Sequence, residues 1–180
     1  MKLIESKVAG CYEIQPVIFN DERGKFIKTF HRDIFIQENL NIDWKEEYYS
    51  VSHKDVIRGM HFQLPPYDHE KLVYCSFGAV LDIIVDLRKS SLTYLQHVSV
   101  SLSAESGNMV YIPRGCAHGF KSLRDGTVMM YKVATVYNSD ADCGIAWDSC
   151  GINWELKSEP VISQRDRGFV KLNNFVTPFE

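Results

Sequence analysis

Apolar and polar positions alternate in short runs along most of this chain, and turn residues separate the runs. Val8 to Phe19, Gly24 to Phe30, Glu46 to Ser52, Val56 to Gln63 and Lys71 to Phe77 have this character, as do Ala79 to Leu87, His97 to Leu102, Met109 to Ile112, Ala117 to Leu123 and Thr127 to Tyr137. Runs of this length, rich in β-branched and aromatic residues, predict strands, and their cadence predicts a sandwich or barrel. One helical stretch is expected over Arg32 to Leu40. The polar region after Asp148, holding Pro160 and Pro178, is expected to form turns and short helices. There is no βαβ rhythm, internal repeat or linker-like Gly/Ser/Pro tract, so residues 1–180 are expected to form a single all-β domain. The expected architecture is a double-stranded β-helix, or jelly roll, whose few short helices are mainly C-terminal, within 149–180. Its termini should pack on the barrel or on a partner subunit.

Composition narrows the picture by exclusion. The 180 residues carry a net charge of -3 from interspersed signs. Without a basic block, no nucleic-acid partner is expected, although an anion in a local Arg pocket is compatible. The five cysteines, Cys11, Cys75, Cys116, Cys143 and Cys150, form an odd set with no C-x-x-C. That disfavours a disulfide framework and a thiolate zinc site, and implies a reducing compartment. With no signal-like start and no apolar run of about 18 residues, a cytoplasmic location without membrane association is expected.

The chemistry starts at Arg58-Gly59-Met60-His61-Phe62-Gln63. Simple alternation puts Arg58, Met60 and Phe62 on one strand face and His61 and Gln63 on the other. A lone His is best read as buried and satisfied by a backbone carbonyl, but His61 stands in a longer pattern. Gly107, Pro113, Gly115 and His118 have the order of the second half of a metal-binding cupin motif. In the first half, Gln63 replaces a second His, and Lys71 fills the usual Glu slot seven residues before Gly78. An ammonium has no lone pair for a cation and repels it, so the barrel is expected without the metal. His61, Lys71 and His118 would then converge in one cavity. Unpaired buried charge costs several kcal/mol, and a ligand bearing anionic or carbonyl groups is the simplest partner.

Asp166, in Ser163-Gln164-Arg165-Asp166, reads locally as a turn residue. Folded back over the barrel, it would hold one nitrogen of His61 and make the other a stronger base. Tyr131 and Tyr137, six apart in one run, are expected on one strand face. Aromatics so placed usually pack a core, but a phenol is also one of the few uncharged side chains able to give a proton to a carbanion. Arg23 and Arg58 are candidates for clamping a diphosphate, because a guanidinium matches two phosphate oxygens at once. Arg23 taken alone reads as a surface turn residue. Lys132 and Arg88 are expected to be solvated, and His31, His53, His69 and His97 to be surface or structural.

The motifs together resemble a known family. Arg58 to Gln63, Lys71-Leu72-Val73, Gly78 to Asp82, Val85 to Arg88, Ser91 to Tyr94, Leu102 to Glu105, Ile112 to Phe120, Tyr131-Lys132, Gly151 to Trp154 and Ser163 to Asp166 are similar in order and spacing to dTDP-4-dehydrorhamnose 3,5-epimerases and their nucleotide-sugar relatives. The resemblance runs from about Val8 to Asp166. It implies a metal-free, cofactor-free homodimer that exchanges N-terminal strands, within 1–30, and acts on a nucleotide-diphosphate 4-keto sugar. It further implies His61 as base oriented by Asp166, Lys71 beside the C4 oxygen, Tyr131 as acid on the opposite face, and Arg23 and Arg58 on the diphosphate. His118, Gln63, Phe26, Glu47, Tyr48 and Tyr137 complete the implied substrate contacts.

Where the family commonly reads the nucleotide through a Gln-Asp-Asn-His-like stretch, this chain has Glu46-Glu47-Tyr48-Tyr49, and Cys143 and Ala146 stand where charges are frequent. The choice among dTDP, GDP and CDP therefore stays open. A 4-ketone acidifies the hydrogens on C3 and C5, so inversion needs a base on one face, an acid on the other and a cation at the enolate oxygen. Inversion at one carbon only, a 3,4-ketoisomerase and a non-catalytic sugar-binding cupin are the alternatives.

Overall fold

A computed structural model describes residues 1–180. The strands are β1 (Lys2–Glu5), β2 (Tyr12–Gln15), β3 (Ile18–Asp21), β4 (Gly24–Ile27), β5 (Glu46–Ser52), β6 (Ile57–Gln63), β7 (Lys71–Phe77), β8 (Ala79–Asp86), β9 (His97–Ser103), β10 (Met109–Ile112), β11 (Cys116–Ser122), β12 (Thr127–Val133) and β13 (Asp142–Gly144). Two short helices, α1 (Arg32–Gln37) and α2 (Gln164–Arg167), and a 3-10 turn at Leu172–Asn174 complete the chain. A six-stranded sheet in the order β1-β2-β10-β7-β12-β5 faces a five-stranded sheet in the order β13-β6-β11-β8-β9, and β3-β4 is a separate hairpin. This is the jelly roll of the cupin class, nearly all β and antiparallel, as its sequence cadence predicts.

Alternation assigns each strand's two faces. Val73 and Cys75 of β7, Val80 and Ile84 of β8 and Met129 of β12 point between the sheets and pack with Val110 and Phe120 into the central core. The opposite positions of β8, Leu81, Ile83 and Val85, lie under the C-terminal segment, which contributes Trp154, Ile162 and Phe179. The outer face of the six-stranded sheet is covered by α1, through Phe35, over Leu72 and Met109. Each fully buried aliphatic or aromatic side chain of this kind stabilises the fold by about 1.5–3 kcal/mol. The polar residues between the sheets are gathered toward one end, where Lys71 pairs with Ile112 and Val133.

Several expectations are corrected. The run Val8 to Phe19 is two strands, broken around Pro16, which has no N–H to continue a ladder. The edge strands β1 and β13 were not expected. β12 ends at Val133, so Tyr137 does not share a strand face with Tyr131.

Arg58 does not lie on the face of Met60 and Phe62. A bulge opposes Gly59 and Met60 on β6 to Gly119 alone on β11, with His118 paired to His61 and Phe120 to Arg58. The extra residue reverses the alternation, so Met60 and Phe62 enter the core under the C-terminal segment while Arg58 and His61 both reach the barrel's interior. Two facing glycines permit this. A Cβ on Gly59, whose φ is +134°, would lie 2.5 Å from Gly119 Cα, and one on Gly119 would lie 2.8 Å from the Arg58 carbonyl oxygen.

Candidate active site

A cavity of about 410 Å³ opens between the two sheets at their polar end. His61, Gln63 and His118 reach it from the five-stranded sheet, and Lys71, Tyr48 and Tyr131 from the six-stranded sheet.

His61 Nε2 is 2.9 Å from Asp166 Oδ1. The second oxygen, Asp166 Oδ2, accepts the Gly59 N–H at 3.1 Å, so the carboxylate bridges the bulge and the imidazole. Asp166 sits in the first turn of α2, where its own N–H donates to the N-cap Ser163 Oγ at 3.1 Å. Burial works to raise the Asp166 pKa, but the hydrogen bond and charge of His61 and the Gly59 N–H outweigh it and hold the carboxyl below its usual range. His61 Nδ1 is left without a partner in the chain.

Lys71 is buried, and its Nζ lies 3.4 Å from the His61 carbonyl oxygen. Burial pushes its pKa down from 10.5 to about 8, against the pull of the Asp142 and Asp82 carboxylates. His118 Nε2 is 2.7 Å from Asp82 Oδ1, both side chains fully enclosed, and burial raises the Asp82 pKa despite the imidazole. Asp82 Oδ2 has no partner.

Tyr131 stacks on Tyr48 at 4.9 Å between ring centroids, meets the edge of His118 at 6.2 Å, and shares a hydrogen bond with Ser50 Oγ at 3.2 Å. Burial drives its phenol pKa well upward, so it holds its proton at neutral pH.

The remaining expected site residues divide. Arg58 lines the cavity, with its guanidinium braced on Ser52 Oγ and the Val51 carbonyl, both at 3.0 Å. Tyr137 also lines it from the loop after β12, donating to Asp142 Oδ2 at 3.2 Å. Gln63 is on the wall, but its amide is engaged by two loops: Oε1 accepts the Asn138 N–H at 2.7 Å and Nε2 donates to the Tyr67 carbonyl at 2.9 Å.

Glu47 is not on the wall. Alternation along β5 turns Glu46, Tyr48 and Ser50 inward and Glu47 outward, where it pairs with Lys132. Lys132 is thereby ion-paired, and Arg88 is held by the buried Asp86 at 2.8 Å, so neither is simply solvated.

Arg23 and Phe26 are also away from this chain's cavity. They sit on the β3-β4 hairpin, where Arg23 is exposed and bound to Asp21. The hairpin rests on the turn before β10, with Lys25 Nζ donating to the Glu105 carbonyl at 2.9 Å. That turn leads into the Met109 end of β10, whereas Lys71 pairs with its Ile112 end.

Glu46, Ser50, His69, Asp142 and Arg165 line the cavity without having been expected there. The parity of β5 carried the signal for Glu46 and Ser50. The others lie in the loop before β7, the short edge strand β13 and helix α2, whose placement the strand pattern does not register.

Comparison with known proteins agrees with this architecture. Residues 5–174 match the family model described as dTDP-4-dehydrorhamnose 3,5-epimerase. A dTDP-4-dehydrorhamnose 3,5-epimerase from Shigella flexneri is 36% identical over 182 residues, covering 98% of this chain and 100% of that one. The crystal structure of a dTDP-6-deoxy-D-glucose-3,5-epimerase from Legionella pneumophila, in complex with dTDP-4-keto-L-rhamnose, superposes with a TM-score of 0.93 at 30% identity, covering 97% and 94% of the two chains. A 3′-monoepimerase from Streptomyces bikiniensis, in complex with dTDP-quinovose, superposes with a TM-score of 0.89 at 29% identity, covering 93% and 86%. Fold and likeness together define an isomerase that epimerises nucleotide sugars. The chain belongs to the dTDP-4-dehydrorhamnose 3,5-epimerase family. No helix in it is long and apolar enough to cross a membrane.

Proposed function

We propose that this protein inverts C3, C5 or both in a dTDP-linked 4-keto-6-deoxy sugar, through an enolate. The observation that carries the reading is that His61 and Tyr131 enter one cavity from facing sheets, with the buried amine of Lys71 beside them. His61, with Nε2 held by Asp166, takes the proton on carbon through Nδ1. Lys71 stabilises the negative charge that develops on the C4 oxygen, in a site where water screens it little. Tyr131, protonated at neutral pH, returns a proton to the opposite face. The dTDP moiety is supported by the bound ligands of both structural relatives, and Arg58 is the cavity's candidate for the diphosphate.

The same reading includes a homodimer in which each β3-β4 hairpin closes the partner's cavity. The hairpin belongs to neither large sheet and leaves Phe19 61% and Phe26 62% exposed, which favours a covering surface. Exchange would deliver Arg23 and Phe26 to a site that their own chain does not place them near.

Turnover of dTDP-4-keto-6-deoxyglucose in deuterium oxide, followed by proton NMR, tests the reaction. Label should enter C3, C5 or both, and the carbons labelled identify which centres are inverted. His61→Ala should slow wash-in by about 100- to 10,000-fold, and Tyr131→Phe should keep exchange while losing inversion. Wild-type wash-in in His61→Ala, or unchanged inversion in Tyr131→Phe, would remove that residue from its role.

A further inference from the structure

His69 has no part in the proton transfers above, yet its ring lines the same cavity, two residues before Lys71. Its hydrogen bonds fix which nitrogen carries the proton. Thr135 Oγ1 lies 2.8 Å from the Tyr67 carbonyl oxygen. Two oxygens at that distance need a proton between them, and a carbonyl has none, so the hydroxyl donates there. The same Thr135 oxygen is 2.6 Å from His69 Nδ1. Having spent its one proton on Tyr67, it must accept, so Nδ1 is the protonated nitrogen.

Gln63 cannot reverse this assignment. Its Oε1 is committed to the Asn138 N–H, and the two hydrogens of its Nε2 go to the Tyr67 carbonyl at 2.9 Å and to Thr135 Oγ1 at 3.3 Å, which leaves none for His69 Nδ1. His69 Nε2 is thus an unprotonated acceptor with no partner in the chain. Burial, with the charges of Lys71 and Arg114, holds the His69 pKa down at about 3, so the ring stays neutral and keeps this lone pair across the physiological range.

We propose that His69 Nε2 recognises the substrate, accepting a hydrogen bond from the sugar hydroxyl on the carbon next to the ketone. The choice of hydroxyl rests on the functional reading above. If the Lys71 amine meets the C4 oxygen, a neighbouring acceptor meets a substituent of an adjacent carbon. Of the two such carbons in a 6-deoxy sugar, C3 carries a hydroxyl and C5 a methyl.

Binding of ligands that cannot react separates this inference from the reaction itself. Calorimetric titration would use dTDP-6-deoxyglucose, which keeps the 3-hydroxyl but lacks the ketone, its 3-deoxy counterpart, and dTDP alone. Wild type should bind the parent sugar about 10-fold more tightly than the 3-deoxy ligand. In His69→Leu that ratio should collapse to near one, while affinity for dTDP is unchanged. His69→Gln, which can offer a carbonyl acceptor, should recover part of the ratio. A ratio that survives in His69→Leu, or an equal loss for both sugars and for dTDP, overturns the proposal. If deuterium fails to enter the keto substrate while the ratio behaves as expected, the epimerisation reading falls and the recognition role stands.

Discussion

Lys71 is held in an environment that opposes its charge, and the sign of that opposition separates its effect on stability from the catalytic role proposed for it. Its pKa is lowered from 10.5 to about 8, so between these pH values the folded chain has released a proton that the unfolded chain still holds. Where the unfolded state binds more protons, stability rises with pH. The charged amine therefore destabilises the fold at neutral pH, by on the order of 3 kcal/mol for a shift of this size. Lys71→Met, similar in length and apolar, should be the more stable protein at pH 7 by chemical denaturation, with the advantage shrinking as pH approaches 10.5. Turnover should respond in the opposite sense. Wild-type kcat/KM, which reports the free enzyme's groups, should fall as pH rises through about 8, when the site loses its cation, and Lys71→Met should be crippled throughout. A pH-independent stability difference between the two proteins would show that the amine is not opposed by its surroundings.

At the scale of elements, the bulge on β6 sets the site's geometry, because it turns both Arg58 and His61 inward and gives Asp166 the Gly59 N–H to hold. Gly119→Ala would place a methyl 2.6 Å from Met60 Sδ and 2.8 Å from the Arg58 carbonyl oxygen, and backbone cannot yield as a side chain can. Overpacking of this kind costs about 1–3 kcal/mol, so a lowered Tm is expected. A fall in kcat is expected with it, because the strand carrying His61 must shift. Lowered Tm with unchanged kcat would mean that the bulge supports the fold without aiming the imidazole.

This device also marks where the sequence stops being legible. The periodicity of β5, β7 and β10 gave their limits, because it depends on alternation within one strand, and the spacing of the two half-motifs led to a shared cavity for Lys71 and His118. The bulge needs Gly59 and Gly119, sixty residues apart, to approach one another, and Arg58 to Gln63 alone reads as regular alternation. Tyr137 was misplaced for a related reason. Its run stays β-rich beyond Val133, but the chain leaves the sheet there, after which Gln63 receives the Asn138 N–H and fixes the loop. His69 reaches the cavity from the loop before β7 and Arg165 from the short helix α2, and their neighbours in sequence give no periodic signal.

At the scale of the whole molecule, the proposed homodimer turns on whether a partner's hairpin brings Arg23 to the cavity. The hairpin bearing it lies against the turn at Glu105, at the end of β10 away from Lys71, so within one chain the guanidinium and the His61–Lys71 pair lie in different regions. If exchange brings the hairpin to the neighbouring cavity, defects in Arg23 and His61 should complement. In a mixed dimer of Arg23→Ala and His61→Ala subunits, the first keeps an intact His61 and receives an intact Arg23 from the second, making one complete site. The other site combines both defects. Random reassortment of an equal mixture would make half the dimers mixed, each with one of two sites working, so activity should recover to about one quarter of wild type. Neither parent should approach that value alone, and mixing without subunit exchange should give only their average. If arginine and imidazole act within one chain, every subunit in the mixture keeps its own defect, and activity stays at the average after exchange has been verified by differential tagging. That outcome would make each hairpin serve its own chain's cavity and overturn the exchange.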